Sequence, residues 1–192
     1  MNLSRPLLLA SNSPRRRELL ASLGLTFEVR VKDVHEDFPQ HLKRAEVAEY
    51  LASHKADHYI ADLQDEALIT ADTIVCLEDR ILNKPADYAE AFEMLQALSG
   101  KKHEVITGVC VLTKDQKSVF HDTTSVYFKT LTKAEIDYYI THYKPYDKAG
   151  AYGIQEWIGM IGIEHIEGSY FNVVGLPVQK LYIKLHGLGI IG

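Results

Sequence analysis

A short apolar run near the start of the chain restricts the fold strongly, because it leads directly into a proline-led helix. Leu7 to Ala10 is followed by S-N-S-P-R-R-R-E-L-L-A-S-L-G. Ser13 suits the N-cap of a helix, and Pro14 suits its first position, where the missing N–H of proline costs no hydrogen bond. Gly24 predicts the end of that helix. A strand, a tight turn and a helix in this order are typical of α/β folds.

Strand-like and helix-like patterns continue to alternate after this unit. T-F-E-V-R-V-K alternates apolar and polar residues and predicts a strand, and the residues from Lys43 to about Ala61 predict an amphipathic helix. Next, A-L-I-T-A-D-T-I-V-C-L predicts a buried strand, which turns back as a hairpin near residues 78–80.

Two capping boxes predict two further helices. Asp87 with Glu90 opens a helix that ends at Gly100, and Thr132 with Glu135 opens another. Between them, H-E-V-I-T-G-V-C-V-L and S-V-F-H-D-T-T-S-V-Y-F predict two strands. Two more strands are predicted by A-G-A-Y-G-I-Q and I-G-M-I-G-I-E-H-I. The start of a last helix is predicted by Leu176-Pro177.

These elements and the composition together predict one α/β domain over residues 1–192. The hydrophobic fraction of 46% and the charged fraction of 24% are those of an ordinary folded domain, which excludes a disordered or fibrous chain. We expect a mixed sheet with flanking helices, folded as two lobes around a cleft. The boundary between the lobes is not defined by the sequence.

Charge and cysteine content limit the partners and the compartment. The formal net charge of -5 argues against a general nucleic-acid surface, so we expect no nucleic acid as a partner. Nowhere do eighteen apolar residues follow one another, so we expect no membrane span. Cys76 and Cys110 lie in apolar runs without Cys-x-x-Cys spacing, which favours reduced thiols and a cytoplasmic protein.

The clearest chemical motif is the turn before the first helix. Ser11-Asn12-Ser13-Pro14-Arg15-Arg16-Arg17 offers backbone N–H groups, the positive end of a helix dipole and arginine side chains, which together attract a phosphate. Cations alone at that end of a helix are unfavourable, and a bound anion would resolve the conflict. The alternative is a capped helix with a solvated basic first turn.

A second signal is Asp72, which interrupts the apolar run I-T-A-D-T-I-V-C. A carboxylate in a buried strand is costly unless it is paired or bound to a metal. Lys84, held extended by Pro85, follows the hairpin that would return it toward Asp72. A purely structural Asp72 is the alternative.

Glu36 and Lys55 gain meaning only as members of a set. Alone, each is an ordinary polar residue of a loop or a helix. With Arg15, Arg16, Lys84 and Asp72 they have the composition of a triphosphate site with a metal such as Mg²⁺, which takes one or two carboxylates and phosphate oxygens.

The third signal is the glycine-containing segment Lys144 to Gln155. Its small residues permit close backbone approach, and the amide of Gln155 offers a donor and an acceptor in one plane, as a nucleobase edge requires. Taken alone, an irregular strand marked by glycine is the preferred interpretation.

Taken in order, these motifs closely resemble the Maf family. They are S-N-S-P-R-R, Glu36 before a helix with Lys55, A-D-T-I-V, L-N-K-P, L-S-G, D-K-A-G-A-Y-G-I-Q and G-S-Y-F-N-V-V-G-L-P. The resemblance covers nearly the whole chain. It implies a nucleoside triphosphate pyrophosphatase that uses a divalent metal, Mg²⁺ or Mn²⁺. It also implies an elongated mixed α/β fold similar to the inosine triphosphatase group.

The resemblance also implies roles for individual residues. Asp72 matches the proton acceptor of the family, and Glu36, Lys55 and Lys84 match its metal and phosphate positions, with Glu36 and Asp72 as the metal ligands. The residues expected to bind the substrate are Ser11, Ser13, Arg15, Arg16, Thr73 and Gln155.

Within the family, three of these positions mark a branch. Arg15, Thr73 and Gln155 match the branch that acts on dTTP and UTP, and a sister branch that acts on 7-methyl-GTP carries Trp where Arg15 stands. We therefore expect a nucleotide-pool enzyme with a small nucleotide substrate. A 7-methyl-GTP or other purine triphosphate pyrophosphatase, a nucleotidyltransferase and a non-catalytic phosphate- or RNA-binding module are the alternatives. A monomer and a homodimer are both open.

Overall fold

The computed structural model describes residues 2–192. Its sheet contains the strands β1 (Leu7–Leu9), β2 (Glu28–Val29), β3 (Ala67–Leu77), β4 (Arg80–Leu82), β5 (Lys102–Leu112), β6 (Lys117–Phe128) and β7 (Ile163–Glu167). Its helices are α1 (Pro14–Ser22), α2 (Ala45–Asp57), α3 (Tyr88–Leu98), α4 (Lys133–Tyr143), α5 (Trp157–Gly162), α6 (Tyr170–Val174) and α7 (Val178–Gly187). A 3₁₀ turn spans Ala149–Ala151.

The sheet is mixed, as its pairing shows. Along the sheet the strand order is β2-β1-β3-β5-β6-β7, and β4 pairs with β3. β1 is parallel to both β2 and β3, whereas β4 is antiparallel to β3 and β7 is antiparallel to β6. The predicted fold class, an α/β protein with a mixed sheet and flanking helices, is confirmed.

The chain divides into two compact units. The first contains the described residues up to Asp72, Thr107–Asp122 and Gly175–Gly192, and the second contains Thr73–Ile106 and Thr123–Val174. In the core of the first unit, leucines of β1 and α1 pack against leucines of α7. The core of the second packs side chains of β6, such as Phe128, against those of α3 and α4.

The predicted turn from β1 into α1 is confirmed. Ser13 is the N-cap, its Oγ accepts a hydrogen bond from the Arg16 backbone N–H, and Pro14 is the first helical residue. Gly24 follows with a φ of +72°, the left-handed conformation that glycine adopts most readily and that ends a helix.

The two predicted capping boxes have different outcomes. At α4 both halves are present, because Thr132 accepts from the Glu135 N–H and the Glu135 carboxylate accepts from the Thr132 N–H. At α3, Asp87 accepts from the Glu90 N–H, but the Glu90 carboxylate binds the N–H of Ala86. The second half of that box was therefore wrong, although the helix itself is confirmed.

Three strand predictions need correction. A-G-A-Y-G-I-Q is not a strand, because Gly150 and Ala151 are left-handed, with φ of +68° and +59°. In I-G-M-I-G-I-E-H-I, the residues before Ile163 belong to α5, and only the later ones form β7. T-F-E-V-R-V-K contributes only the two residues of β2, since only these pair with β1.

No helix within residues 2–192 is both long enough and apolar enough to cross a membrane.

Candidate functional site

The loop between β1 and α1 folds around two serines. Ser11, which is buried, accepts hydrogen bonds through its Oγ from the Ser13 N–H at 3.2 Å and from Arg16 Nη1 at 3.4 Å. The Ser13 Oγ in turn accepts from the Arg16 N–H. The serines therefore hold the first turn of α1 and one of its arginines in a defined arrangement.

Arg16 is half-buried and binds a distant backbone group. Its Nε donates to the Gly175 carbonyl at 2.8 Å, which ties the start of α1 to the segment before α7. Burial lowers the pKa of Arg16, while the charges of Asp72 and Glu36 act to raise it and the charge of Arg15 acts to lower it. The guanidinium stays protonated, because arginine does not lose its proton in proteins. Arg16 thus lies in the field of both predicted carboxylates.

Asp72 lies on β3 and is only 8% exposed. Its Oδ1 accepts a hydrogen bond from Lys55 Nζ of α2, and the same ammonium donates to Glu36 Oε1 at 2.7 Å. A buried carboxylate requires such a partner to offset its lost hydration. The structure therefore brings together three residues that the sequence separates, and it explains why a carboxylate is tolerated in an apolar strand.

The position of Lys55 follows from how α2 packs against the sheet. Thr70 of β3 is fully buried and its Oγ1 donates to the Ala52 carbonyl at 2.6 Å. Gly108 of β5 lies against the same helix, where a Cβ would be 2.2 Å from the Ala48 carbonyl oxygen. A hydrogen bond and a close backbone approach thus seat α2 with Lys55 beside Asp72.

The three remaining predicted residues belong to the second compact unit. Thr73 follows Asp72 on β3 and is half-buried, and Lys84 is exposed two residues after β4. The segment before Lys84 contacts the glycine-containing segment, because the Asn83 carbonyl accepts from the Gly150 N–H at 3.2 Å.

Gln155 is exposed and lines a groove of about 350 Å³ in the second unit. The other groove residues are mostly apolar, with an imidazole and a phenol among them; they are Ile154, Gly159, Met160, Ile163, His165, Ile166 and Tyr170. An apolar groove with a few polar groups is the usual form of a small-molecule site.

A divalent cation fits the donor set of the first unit. Within residues 2–192, no group of three or more His, Cys, Asp or Glu side chains could hold a metal. Asp72 and Glu36 nevertheless converge on one cationic nitrogen, that of Lys55. Two carboxylates with water and phosphate oxygens suit Mg²⁺ or Mn²⁺, which bind in this way rather than in closed protein cages.

Sequence reasoning missed two groups that shape these segments. The Gly175 carbonyl, which binds Arg16, is a backbone group and has no side-chain signal. Tyr139, which binds the segment that carries Gln155, lies in a tyrosine-rich helix that reads as ordinary packing. The two serines, Arg16 and Asp72 were found from local signals, a capped basic turn and a carboxylate in an apolar run. Glu36 and Lys55 were found only as members of the set and through the resemblance to the Maf family.

The fold and the first-unit cluster define a mixed α/β protein in which a capped, arginine-bearing helix N-terminus is combined with two carboxylates linked by a lysine. The family model of the Maf-like protein matches residues 6–188. The chain belongs to the Maf family, and the resemblance noted from the motifs is confirmed.

Relatives with known names are similar over nearly their full length. A protein of Flavobacterium psychrophilum named dTTP/UTP pyrophosphatase is 53% identical over 93% of this chain and 92% of that protein. One of Parabacteroides distasonis with the same name is 54% identical over 93% of this chain and 94% of that protein. Among solved structures, the Staphylococcus aureus Ham1 protein covers 95% of this chain and 99% of its own, with a TM-score of 0.57 and 16% identity. That similarity concerns the fold alone.

Proposed function

We propose that the protein hydrolyses dTTP and UTP to the nucleoside monophosphate and pyrophosphate. The observation that carries the proposal is the Lys55-linked pair of carboxylates beside the arginine-bearing N-terminus of α1. The relatives at 53% and 54% identity, both named dTTP/UTP pyrophosphatase, support the same activity and the same substrates. Removal of these nucleotides, and of modified pyrimidine triphosphates, from the cytoplasmic pool is the role that we propose.

We assign a role in the proposed reaction to each predicted site residue of the first unit. Asp72 accepts the proton of the water that attacks the α-phosphorus in line with the leaving pyrophosphate. Ser11, Ser13 and the N–H groups of α1 bind phosphate oxygens, and Arg15 and Arg16 neutralise phosphate charge. Lys55 uses two of its three N–H donors on carboxylates, which leaves the third for a phosphate oxygen.

Glu36 and Asp72 are the residues that we assign to a divalent cation. Bound Mg²⁺ or Mn²⁺ supplies charge neutralisation of the triphosphate and acidifies water. We assign Lys84 to the phosphates, and Thr73 and Gln155, with Arg15, to recognition of the O4 and N3–H edge that uracil and thymine share. A site built on such hydrogen bonds discriminates against a wrong base, because that base leaves polar groups of the site unpaired when it binds.

The test is product analysis with purified protein, a panel of dTTP, UTP, GTP and 7-methyl-GTP, and Mg²⁺ or Mn²⁺. We expect monophosphate and pyrophosphate, with the highest kcat/KM for dTTP and UTP, and no turnover in excess EDTA. Nucleoside diphosphate with inorganic phosphate would refute cleavage at the α-phosphorus. Full activity in EDTA would remove the metal role of Glu36 and Asp72.

The same assay separates the alternatives. Equal kcat/KM for GTP and UTP would overturn the pyrimidine assignment, and a preference for 7-methyl-GTP would indicate the sister activity. In isotopically labelled water, label in the monophosphate identifies water as the acceptor and excludes a nucleotidyltransferase. Complete absence of turnover would favour a binding module.

A further inference from the structure

A largely buried hydrogen-bond network binds the backbone before Gln155 and the side chain of the residue after it. Tyr139 of α4 is fully buried, and its hydroxyl accepts a hydrogen bond from the Gly153 N–H at 3.0 Å. The same hydroxyl donates to Glu156 Oε2. One side chain therefore binds the chain two residues before Gln155 and one residue after it.

The carboxylate of Glu156 is held from its other oxygen as well. Lys148 Nζ lies 3.1 Å from Glu156 Oε1, and the Lys148 side chain is only 9% exposed. Lys148 Nζ also donates to Asp147 Oδ1 at 2.8 Å, so the ammonium is shared between two carboxylates. The carboxylate is thus fixed by two groups, a phenol and an ammonium.

The glycine at 153 leaves room for this arrangement. A Cβ at that position would lie 2.9 Å from the carboxyl carbon of Glu156 and 3.1 Å from its Oε2. Any side chain there would displace the carboxylate from Tyr139. Burial raises the pKa of Tyr139, and the hydrogen bond to Glu156 raises it further, so the phenol remains a donor throughout the physiological range.

The side chain of Gln155 is exposed and lines the groove, although its neighbours are anchored. An exposed amide on a fixed backbone loses less entropy when it binds a ligand than one on a mobile backbone, because only its side chain must be ordered. We propose that Tyr139 and Glu156 are positioning residues that fix where Gln155 presents its amide, and that they thereby set the selectivity for the base. This inference rests on the role given to Gln155 in the proposed function.

The direct test compares kcat/KM for UTP and GTP in Tyr139→Phe with the wild-type values. We expect the preference for UTP to fall about 10-fold, the size of effect that loss of a hydrogen bond to a charged group produces. The larger share of the change should fall on KM for UTP. Tyr143→Phe is the matched control, because Tyr143 lies one turn further along α4 and its ring stacks on that of Tyr139. The control should keep the wild-type preference.

A double-mutant cycle shows whether Tyr139 acts through Gln155. With Gln155→Ala in place, Tyr139→Phe should change the UTP preference no further. Additive effects, or an unchanged preference in the folded single variant Tyr139→Phe, would overturn the inference while the pyrimidine preference of the wild type stands. If Tyr139→Phe unfolds, Glu156→Gln, which keeps the volume but removes the charge, takes its place in the cycle.

Amide hydrogen exchange tests the network independently of any nucleotide. In Tyr139→Phe, the Gly153 amide should exchange faster, while exchange in the Tyr143→Phe control stays as in the wild type. An unchanged Gly153 amide would overturn the inference. If the wild type fails to hydrolyse dTTP and UTP, the proposed function is refuted, and faster exchange would then support only the anchoring of the segment.

Discussion

Lys55 allows two carboxylates of the first unit to lie close to each other. Its ammonium binds both Glu36 and Asp72, and its side chain is only 16% exposed. Without a cation between them, the two carboxylates would repel each other. Without the carboxylates, nothing would offset the hydration that the ammonium loses on burial. The three side chains are therefore best regarded as one charged group whose members depend on each other.

Asp72→Asn tests the proposed base within this group. We expect kcat to fall by about 10² to 10⁴-fold, the usual loss when a general base is removed. Nucleotide affinity should persist or increase, because the substitution removes a negative charge near the phosphates. Melting temperature, nucleotide Kd and kcat are to be measured on one preparation.

Asp62→Asn is the control for that variant, since Asp62 pairs with Lys32 at the surface of the same unit. A surface ion pair contributes little to the free energy of unfolding, so the control should have the melting temperature and kcat of the wild type. A folded Asp72→Asn protein with near wild-type kcat would contradict the catalytic role. A loss of activity that only follows a lower melting temperature would indicate a structural aspartate.

Arg16→Lys tests the tie between α1 and Gly175. Lysine cannot reproduce the Nε hydrogen bond to the Gly175 carbonyl, so we expect a loss of about 1.5 to 3 kcal/mol in the free energy of unfolding. Urea unfolding measures the loss. Arg17→Lys, at an exposed position in the same turn, should change stability by less than about 0.5 kcal/mol. If Arg16→Lys lowers the free energy of unfolding no more than Arg17→Lys does, the hydrogen bond to Gly175 does not contribute to stability.

At the level of secondary-structure elements, the seating of α2 decides where Lys55 lies. The helix begins without a side-chain cap, since its N-cap is Arg44, so its position depends on packing more than on its own ends. Thr70 binds its Ala52 carbonyl, and Gly108 permits the backbone of β5 to approach it. Small residues at these contacts are therefore requirements of the site as well as of the core.

Gly108→Ala is the corresponding test. The added methyl group would meet the backbone of α2 at Ala48, which cannot rotate away as a side chain can, so we expect at least about 1 to 3 kcal/mol of destabilisation. Thermal and urea unfolding measure it. Gly187→Ala is the control, because a Cβ there meets nothing within 4 Å. A Gly108→Ala protein as stable as wild type would mean that α2 does not pack on β5 in this way.

At the level of the whole molecule, one buried histidine links stability to pH. His103 is 2% exposed, its Nε2 lies 2.7 Å from the Tyr152 hydroxyl, and burial lowers its pKa to about 4. An unfolded histidine titrates near 6.5, so between pH 6.5 and 4 the unfolded chain binds more protons than the folded one. Stability from this residue is complete above pH 6.5 and is lost as the pH falls toward 4.

His103→Gln removes that titration and keeps a polar group for Tyr152. Urea unfolding at pH 7 and pH 4.5 should show that the wild type loses about 2 to 3 kcal/mol more than the variant over this interval. Equal losses in both proteins would contradict the depressed pKa of His103.

Local chemistry made much of the fold predictable from the residues alone. The caps at Ser13 and Thr132 and the stop at Gly24 depend on interactions within one helical turn, and a sequence displays such interactions directly. The hairpin of β3 and β4 and the apolar run around Asp72 belong to the same class. The motifs that indicated the Maf family are likewise short and contiguous.

Interactions between distant residues required the folded chain. Asp72 and Lys55 are 17 positions apart, and Arg16 and the Gly175 carbonyl are 159 apart, so no local rule pairs them. The segment from Ala149 to Gln155 was mistaken for a strand because its left-handed residues and the anchor at Tyr139 leave no mark on apolar periodicity. Hydrogen bonds within one helical turn join residues that are close in sequence, so the sequence alone determines them. A partner that is distant in sequence is brought into contact only by tertiary packing, which depends on the whole chain.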